Sequence, residues 1–185
     1  MSRAFVKEDA AGERIAVQAR APLPAGVPNL VTASGLRALH RERRDLETAR
    51  RRAERLDGAD ARARALLALE EREAALEERL ASARVVPAPP VPDDEVVVGS
   101  EVEALRDDGR ALRLRIVGVD EADPSRGWIA FTAPVADALV GRRVGDAVTA
   151  AGTQLAIVAV RFPADEADEA TLEGVVGSTD ATPER

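Results

Sequence analysis

Leu36, Leu39, Leu46, Ala49, Ala53 and Leu56 recur at intervals of three, four and seven in a stretch otherwise built from Arg, Glu and Ala. That spacing predicts a helix with a single apolar stripe. A second arm, Ala61 to Arg84, repeats the pattern with Leu66, Leu69, Leu76, Leu80 and Ala83, and only Glu73 interrupts it. Gly58, in the short segment ERLDGAD between the arms, permits a reversal. Two one-sided helices joined this closely bury their stripes on each other, which predicts an antiparallel helical hairpin projecting roughly 33–36 Å. Beyond the proline-rich VVPAPPVPDDE the period changes to two. The runs VVVGSEVEAL, ALRLRIVGVD, GWIAFT, DAVTA and QLAIVAVRF read as five strands. A short helix starts at Pro134 and stops at Gly141, and DDG supplies a hairpin turn.

The chain therefore divides into a flexible leader (1–29), a helical hairpin (30–84), a stiff linker (85–95), a small α+β domain (96–163) and an acidic, disordered tail (164–185). Composition narrows its chemistry. No cysteine is present and His40 is the single histidine, which excludes disulfides, thiolate nucleophiles, zinc-thiolate sites and multi-histidine metal centres. A metal would have to rest on carboxylates. The net charge of −7 argues against coating of duplex DNA, and no element reads base sequence. No signal peptide or membrane-spanning run is visible, so the chain reads as cytoplasmic, and as a monomer. Aromatics make up only 2% of the residues, which limits the core to aliphatic side chains.

The string RIVGVDEADPSRGWIAFTAPVADALVGRRVGD, residues 115–146, resembles the C-terminal domain of the Gre-type (GreA/GreB) transcription elongation factors. PAGVPNLVTASGLRAL, residues 24–39, is similar to the segment that opens the coiled coil of that family, and MSRAFVKE is similar to the start of its longer-leader members. The resemblance implies an FKBP-like fold for the C-terminal domain. It also implies docking of that domain at the rim of the RNA polymerase secondary channel, with the coiled coil inserted toward the polymerase active site. It implies no enzyme activity of the chain's own, but at most stimulation of transcript cleavage by the polymerase. The docking residues implied are Asp120, Glu121 and Asp123 of the acidic run, with Thr132, Ala133 and Pro134 at the helix start; family members carry serine where Ala133 stands.

At the tip, Asp57 and Asp60 share the i, i+3 spacing of two acidic residues that, in cleavage-competent members, help to hold an Mg²⁺ shared with the polymerase. The chain needs no cofactor of its own. Hard carboxylate oxygens suit that ion. The same residues also read as architecture: Asp57-Gly58 as a turn pair and Asp60 as the N-cap of the second arm. The arms are shorter than the family pattern by about one heptad each, which would withdraw the tip by roughly 10 Å. That leaves a second reading, a non-cleaving regulator that occupies the channel and competes with true cleavage factors; a third is a generic coiled-coil adaptor. Arg41, Arg44, Arg51 and Arg55 are candidates for contact with nascent RNA, or else form a solvated face paired with Glu70, Glu71, Glu73, Glu77 and Glu78.

Overall fold

Helix α1 (Ala33–Ala53) starts where Thr32 caps it: the Thr32 Oγ1 accepts from the Gly35 N–H at 3.0 Å. In the computed structural model, which describes residues 20, 22–87, 89 and 94–163, α1 runs antiparallel to α2 (Ala59–Ser82). The expectations for residues 1–19 and for the acidic segment 164–185 lie outside the described residues. The apolar stripe follows a heptad. Leu39, Leu46 and Ala53 are buried, and Leu39 and Leu46 pack with Leu76 of α2 and with the half-buried Leu36, Leu69 and Leu80. Glu73, the one charged residue in the α2 stripe, is half-buried and accepts a hydrogen bond from Arg50 across the hairpin at 2.8 Å. The stripe stops short of the turn: Leu56 lies beyond the end of α1, 43% exposed.

The foot of the hairpin is closed by an element that periodicity did not predict. Strand β1 (Asn29–Val31) enters α1 and strand β2 (Ala83–Val85) leaves α2; the two pair in parallel, with Asn29 opposite Ala83 and Val31 opposite Val85. Asn29, at the end of the expected leader, is therefore structured. Its Nδ2 donates to the Arg79 carbonyl at 2.9 Å and to Ser82 Oγ at 3.1 Å, which satisfies groups at the C-terminus of α2.

The second module is a five-stranded sheet built from β3 (Glu101–Arg106), β4 (Ala111–Val117), β5 (Trp128–Ala130), β6 (Ala147–Ala150) and β7 (Thr153–Arg161). The strand order is β5-β4-β3-β7-β6, antiparallel except for β4 with β5. One face buries Val102, Ala104, Ile116, Leu155 and Ile157 with Ala136 and Leu139 of α3 (Pro134–Leu139). Two of the expected strands are shorter than the sequence suggests. Val96 to Ser100 is a loop, because Gly99 turns at φ +102° and the ladder starts only at Glu101. Phe131 and Thr132 leave β5 in a turn in which the Ala133 N–H donates to the Ala130 carbonyl at 2.8 Å.

The modules meet at β1 and at a 3-10 turn, Val119–Glu121, that follows β4. Successive side chains of a strand point to opposite faces, and β1 uses this: Leu30 packs against the sheet core and Val31 belongs to the hairpin core. Glu121 fastens the joint. Its Oε1 accepts from the Thr32 N–H at 2.9 Å and from the Gly118 N–H at 3.1 Å, and the Thr32 hydroxyl donates to its Oε2. The carboxylate thus lies at the N-terminus of α1, whose own first turn has no acidic residue. Two glycines make room for it. A Cβ on Gly35 would lie 2.1 Å from the Glu121 carboxyl carbon, and one on Gly118 would lie 2.6 Å from Oε1.

Two outcomes are expected in urea unfolding followed by far-UV circular dichroism. Leu46→Ala, buried in the hairpin, costs about 2–5 kcal/mol, whereas Leu56→Ala stays within about 0.5 kcal/mol of the parent. Gly35→Ala and Glu121→Ala each cost about 2–3 kcal/mol, because each removes the same charge-assisted bonds. The double variant then loses little more than either alone, and additive losses would show that Gly35 and Glu121 act independently.

Candidate functional site

At the tip, α1 ends at Ala53 and the chain turns through 54–58, where Gly58 adopts φ +87° with open space around it. Helix α2 starts at Ala59 with Gly58 as its N-cap and no side-chain cap bond. Asp60 therefore does not cap α2, as one of its readings held; it lies two residues past the N-cap, in the first turn, where its charge favours the helix N-terminus. Asp57 and Asp60 are both exposed. Among the described residues no group of three or more carboxylate or histidine side chains is close enough together to hold a metal ion. As ligands, these two would form a partial set that a partner's carboxylates must complete.

The tip is also rich in positive charge. Arg50, Arg51, Arg52, Arg55, Arg62 and Arg64 surround the turn against Glu54, Asp57 and Asp60, and all of them are exposed. The Arg62 guanidinium reaches into the turn and donates to the Leu56 carbonyl at 3.3 Å. Of the arginines expected to meet RNA, Arg41, Arg44 and Arg51 are exposed on α1, and Arg51 donates to Thr48 Oγ1 at 3.0 Å. Arg55 lies past the helix end, in the turn. Of the i, i+4 pairs that the sequence offers along α1, Arg50–Glu54 is formed at 3.7 Å.

The acidic run behaves differently from an exposed loop. Asp120 has a side chain only 10% exposed, 2.7 Å from an Arg20 guanidinium nitrogen and 3.5 Å from the Arg79 Nε. Arg79, in α2, is itself buried. Arg20 also donates to Glu42 on α1 at 2.5 Å, so one guanidinium joins the hairpin to the sheet module. Burial disfavours the Arg20 charge, yet hydrogen bonds to Glu42 and Asp120 outweigh it and hold its pKa above the ordinary arginine value. Asp123 caps a second 3-10 turn, Pro124–Arg126, by accepting from the Ser125 N–H at 3.0 Å. Its bond from the Ser125 hydroxyl, with the Arg126 charge nearby, holds its carboxyl below the usual aspartate range. Thr132 and Ala133 are half-buried and Pro134 is exposed; Ala133 is the N-cap of α3 and offers it no side-chain bond.

Of the residues expected to dock, Asp120 and Glu121 make contacts inside the junction, whereas Asp123, Thr132, Ala133 and Pro134 lie outside it. Sequence reasoning missed Arg20, Thr32, Gly35, Arg79 and Gly118 as parts of one cluster. The available signals were weak: an arginine inside an apolar stripe, and a helix start with no acid of its own.

Residues 91–162 match the family model for "Transcription elongation factor, GreA/GreB, C-term". GreB of Xanthomonas axonopodis pv. citri is 47% identical over 73 residues, 38% of this chain and 43% of that protein. GreA of Desulfovibrio desulfuricans is 41% identical over 75 residues, 40% of this chain and 46% of that protein. The matched segments span less than half the length of these two relatives, which are transcription elongation factors by name. A solved GreA/GreB factor from Nitrosomonas europaea aligns with 74% of this chain and 99% of its own at 22% identity and a TM-score of 0.36, and Gfh1 of Thermus thermophilus with 73% and 99% at 21% identity and a TM-score of 0.34. Residues 91–162, which follow the helical hairpin, are thus similar to the C-terminal domain of the GreA/GreB factors.

Proposed function

We propose that this chain binds RNA polymerase at the rim of its secondary channel through the sheet module and carries the hairpin into that channel to act on elongation. The observation that supports this best is the braced joint between a GreA/GreB-type domain and a stiff hairpin. A probe that works at a distance needs a fixed bearing. Glu121 on the start of α1, and Asp120 between Arg20 and Arg79, supply one. The 21 and 24 residues of α1 and α2 correspond to arms of about 32 and 36 Å. Docking is assigned to Asp123, Thr132, Ala133 and Pro134, and bracing to Asp120 and Glu121.

The tip favours regulation over assistance with cleavage. Metal sharing would place Asp57 and Asp60 on an Mg²⁺ completed by polymerase carboxylates, and the ion would supply charge stabilisation for hydrolysis of backtracked RNA. The six arginines around the turn, Arg62 nearest, oppose the approach of a cation and suit phosphate oxygens instead. On this reading Arg41, Arg44, Arg51 and Arg55 lie along nascent RNA, and the factor competes for the channel with longer-armed cleavage factors. The chain is not an enzyme in its own right.

The test has two stages. Immobilised core polymerase is expected to retain the full chain, and Pro134→Asp to weaken retention about tenfold or more. No retention would favour a generic coiled-coil adaptor. On a backtracked complex the chain is expected to leave cleavage at its intrinsic rate and to inhibit cleavage stimulated by a competing factor. Acceleration that disappears with Asp57→Asn plus Asp60→Asn would establish the metal-sharing role instead.

A further inference from the structure

The face of the sheet opposite the core carries a feature that neither the hairpin nor the loop residues use. One row crosses four strands: Arg161 on β7, Glu101 on β3, Arg115 on β4 and Trp128 on β5, each opposite the next in register. Ala159, Glu103 and Arg113 form the row beside it. Together with Arg126 they line an open cleft of about 170 Å³. The Arg126 guanidinium stacks 3.6 Å from the centre of the Trp128 ring, and that of Arg115 lies 4.9 Å from it.

The charge in this cleft is unbalanced. Four arginines face two glutamates, and Glu103 is already taken by Arg113 at 2.5 Å. Glu101 stands between Arg161 and Arg115. Arg115, Arg126 and Arg161 form no ion pair among the described residues, and the Arg115 Nε is buried without a hydrogen-bond partner. A guanidinium held flat against an aromatic ring keeps its in-plane N–H groups free, and those groups match a carboxylate.

We propose that this cleft is the docking site for the acidic segment of the same chain that begins at Ala164. Strand β7 ends at Arg161, on the rim of the cleft, and the Phe162 ring packs over Gly99, where a Cβ would lie 2.7 Å from it. The sequence then continues Ala164-Asp165-Glu166-Ala167-Asp168-Glu169. From Arg161 to Trp128 is three interstrand spacings, about 14 Å, which an extended chain covers in about four or five residues. Asp165 to Glu169 therefore reach the whole row. A tether this short gives the segment an effective concentration in the millimolar range, so modest charge pairing suffices to fill the cleft. Docked there, the segment shields the arginines from other acidic or phosphorylated partners.

Trp128 is the single tryptophan, so its fluorescence reports on the cleft directly. The full chain is compared with the variant Asp165→Asn, Glu166→Gln, Asp168→Asn, Glu169→Gln, using iodide and neutral acrylamide as quenchers at constant ionic strength. Both quenching constants are expected to rise about twofold in the variant, since uncovering the ring admits any quencher and the freed arginines attract iodide. Molar KCl added to the parent is expected to raise acrylamide quenching in the same way. An added peptide of sequence ADEADEA should restore protection to the variant and leave the parent unchanged. Unchanged quenching by both agents in the variant would overturn the proposal. So would a rise for iodide alone, which reports diffuse repulsion without cover. Protection of the parent by the added peptide would also overturn it, because the cleft would then be open for another protein's acidic segment. None of these readouts involves the polymerase, so the proposal and the functional reading fail separately.

Discussion

A helix start exposes backbone N–H groups that its own turns cannot satisfy, and α1 has no acidic side chain in its first turn to answer them. The answer comes from 89 residues away, in the carboxylate of Glu121. Much of the junction follows from that one contact. Thr32 must cap the helix and still present its N–H and hydroxyl to the same carboxylate. Gly35 and Gly118 must lack side chains because the carboxyl group occupies the space. Strand β1 must enter α1 directly, which leaves Leu30 facing one core and Val31 the other.

Charge is used in opposite ways at the two ends of the hairpin. At its foot, Arg20, Arg79 and Asp120 are largely withdrawn from water and held by mutual contacts, where an unpaired partner would carry a heavy desolvation cost. At the tip the arginines and acids are exposed, so each contact there is weak, screened by salt and free to be exchanged for a partner's. The foot is suited to orientation and the tip to recognition.

How much of this could be read from the chain alone depended on sequence distance. The interval from Leu39 to Leu46 to Ala53 is a local regularity, and it located α1 and its buried face. The alternation in Ala111–Val117 and Thr153–Arg161 located β4 and β7 in the same way. The acidic run was legible as a motif but not as a place. Charged residues in a turn ordinarily face water, and nothing in Asp120 or Glu121 reveals that Arg20, Thr32, Gly35 and Arg79 converge on them from other parts of the fold. Gly99 had a local signature, yet the β-branched residues before it outweighed that signal and extended the expected strand too far. The parallel pairing of β1 with β2 was invisible because each strand is three residues long, too short for any period.

The ladder between β1 and β2 fixes both feet of the hairpin together, and the bonds of Asn29 and Glu121 lie beside that ladder. Height is therefore an independent variable. Adding or removing one matched heptad per arm near the tip shifts the apex by about 10 Å while leaving the mounting untouched. Evolution can thus reset the working depth of such a mast by slippage in a repetitive Arg/Ala/Leu/Glu code, with no redesign of the socket in which it stands.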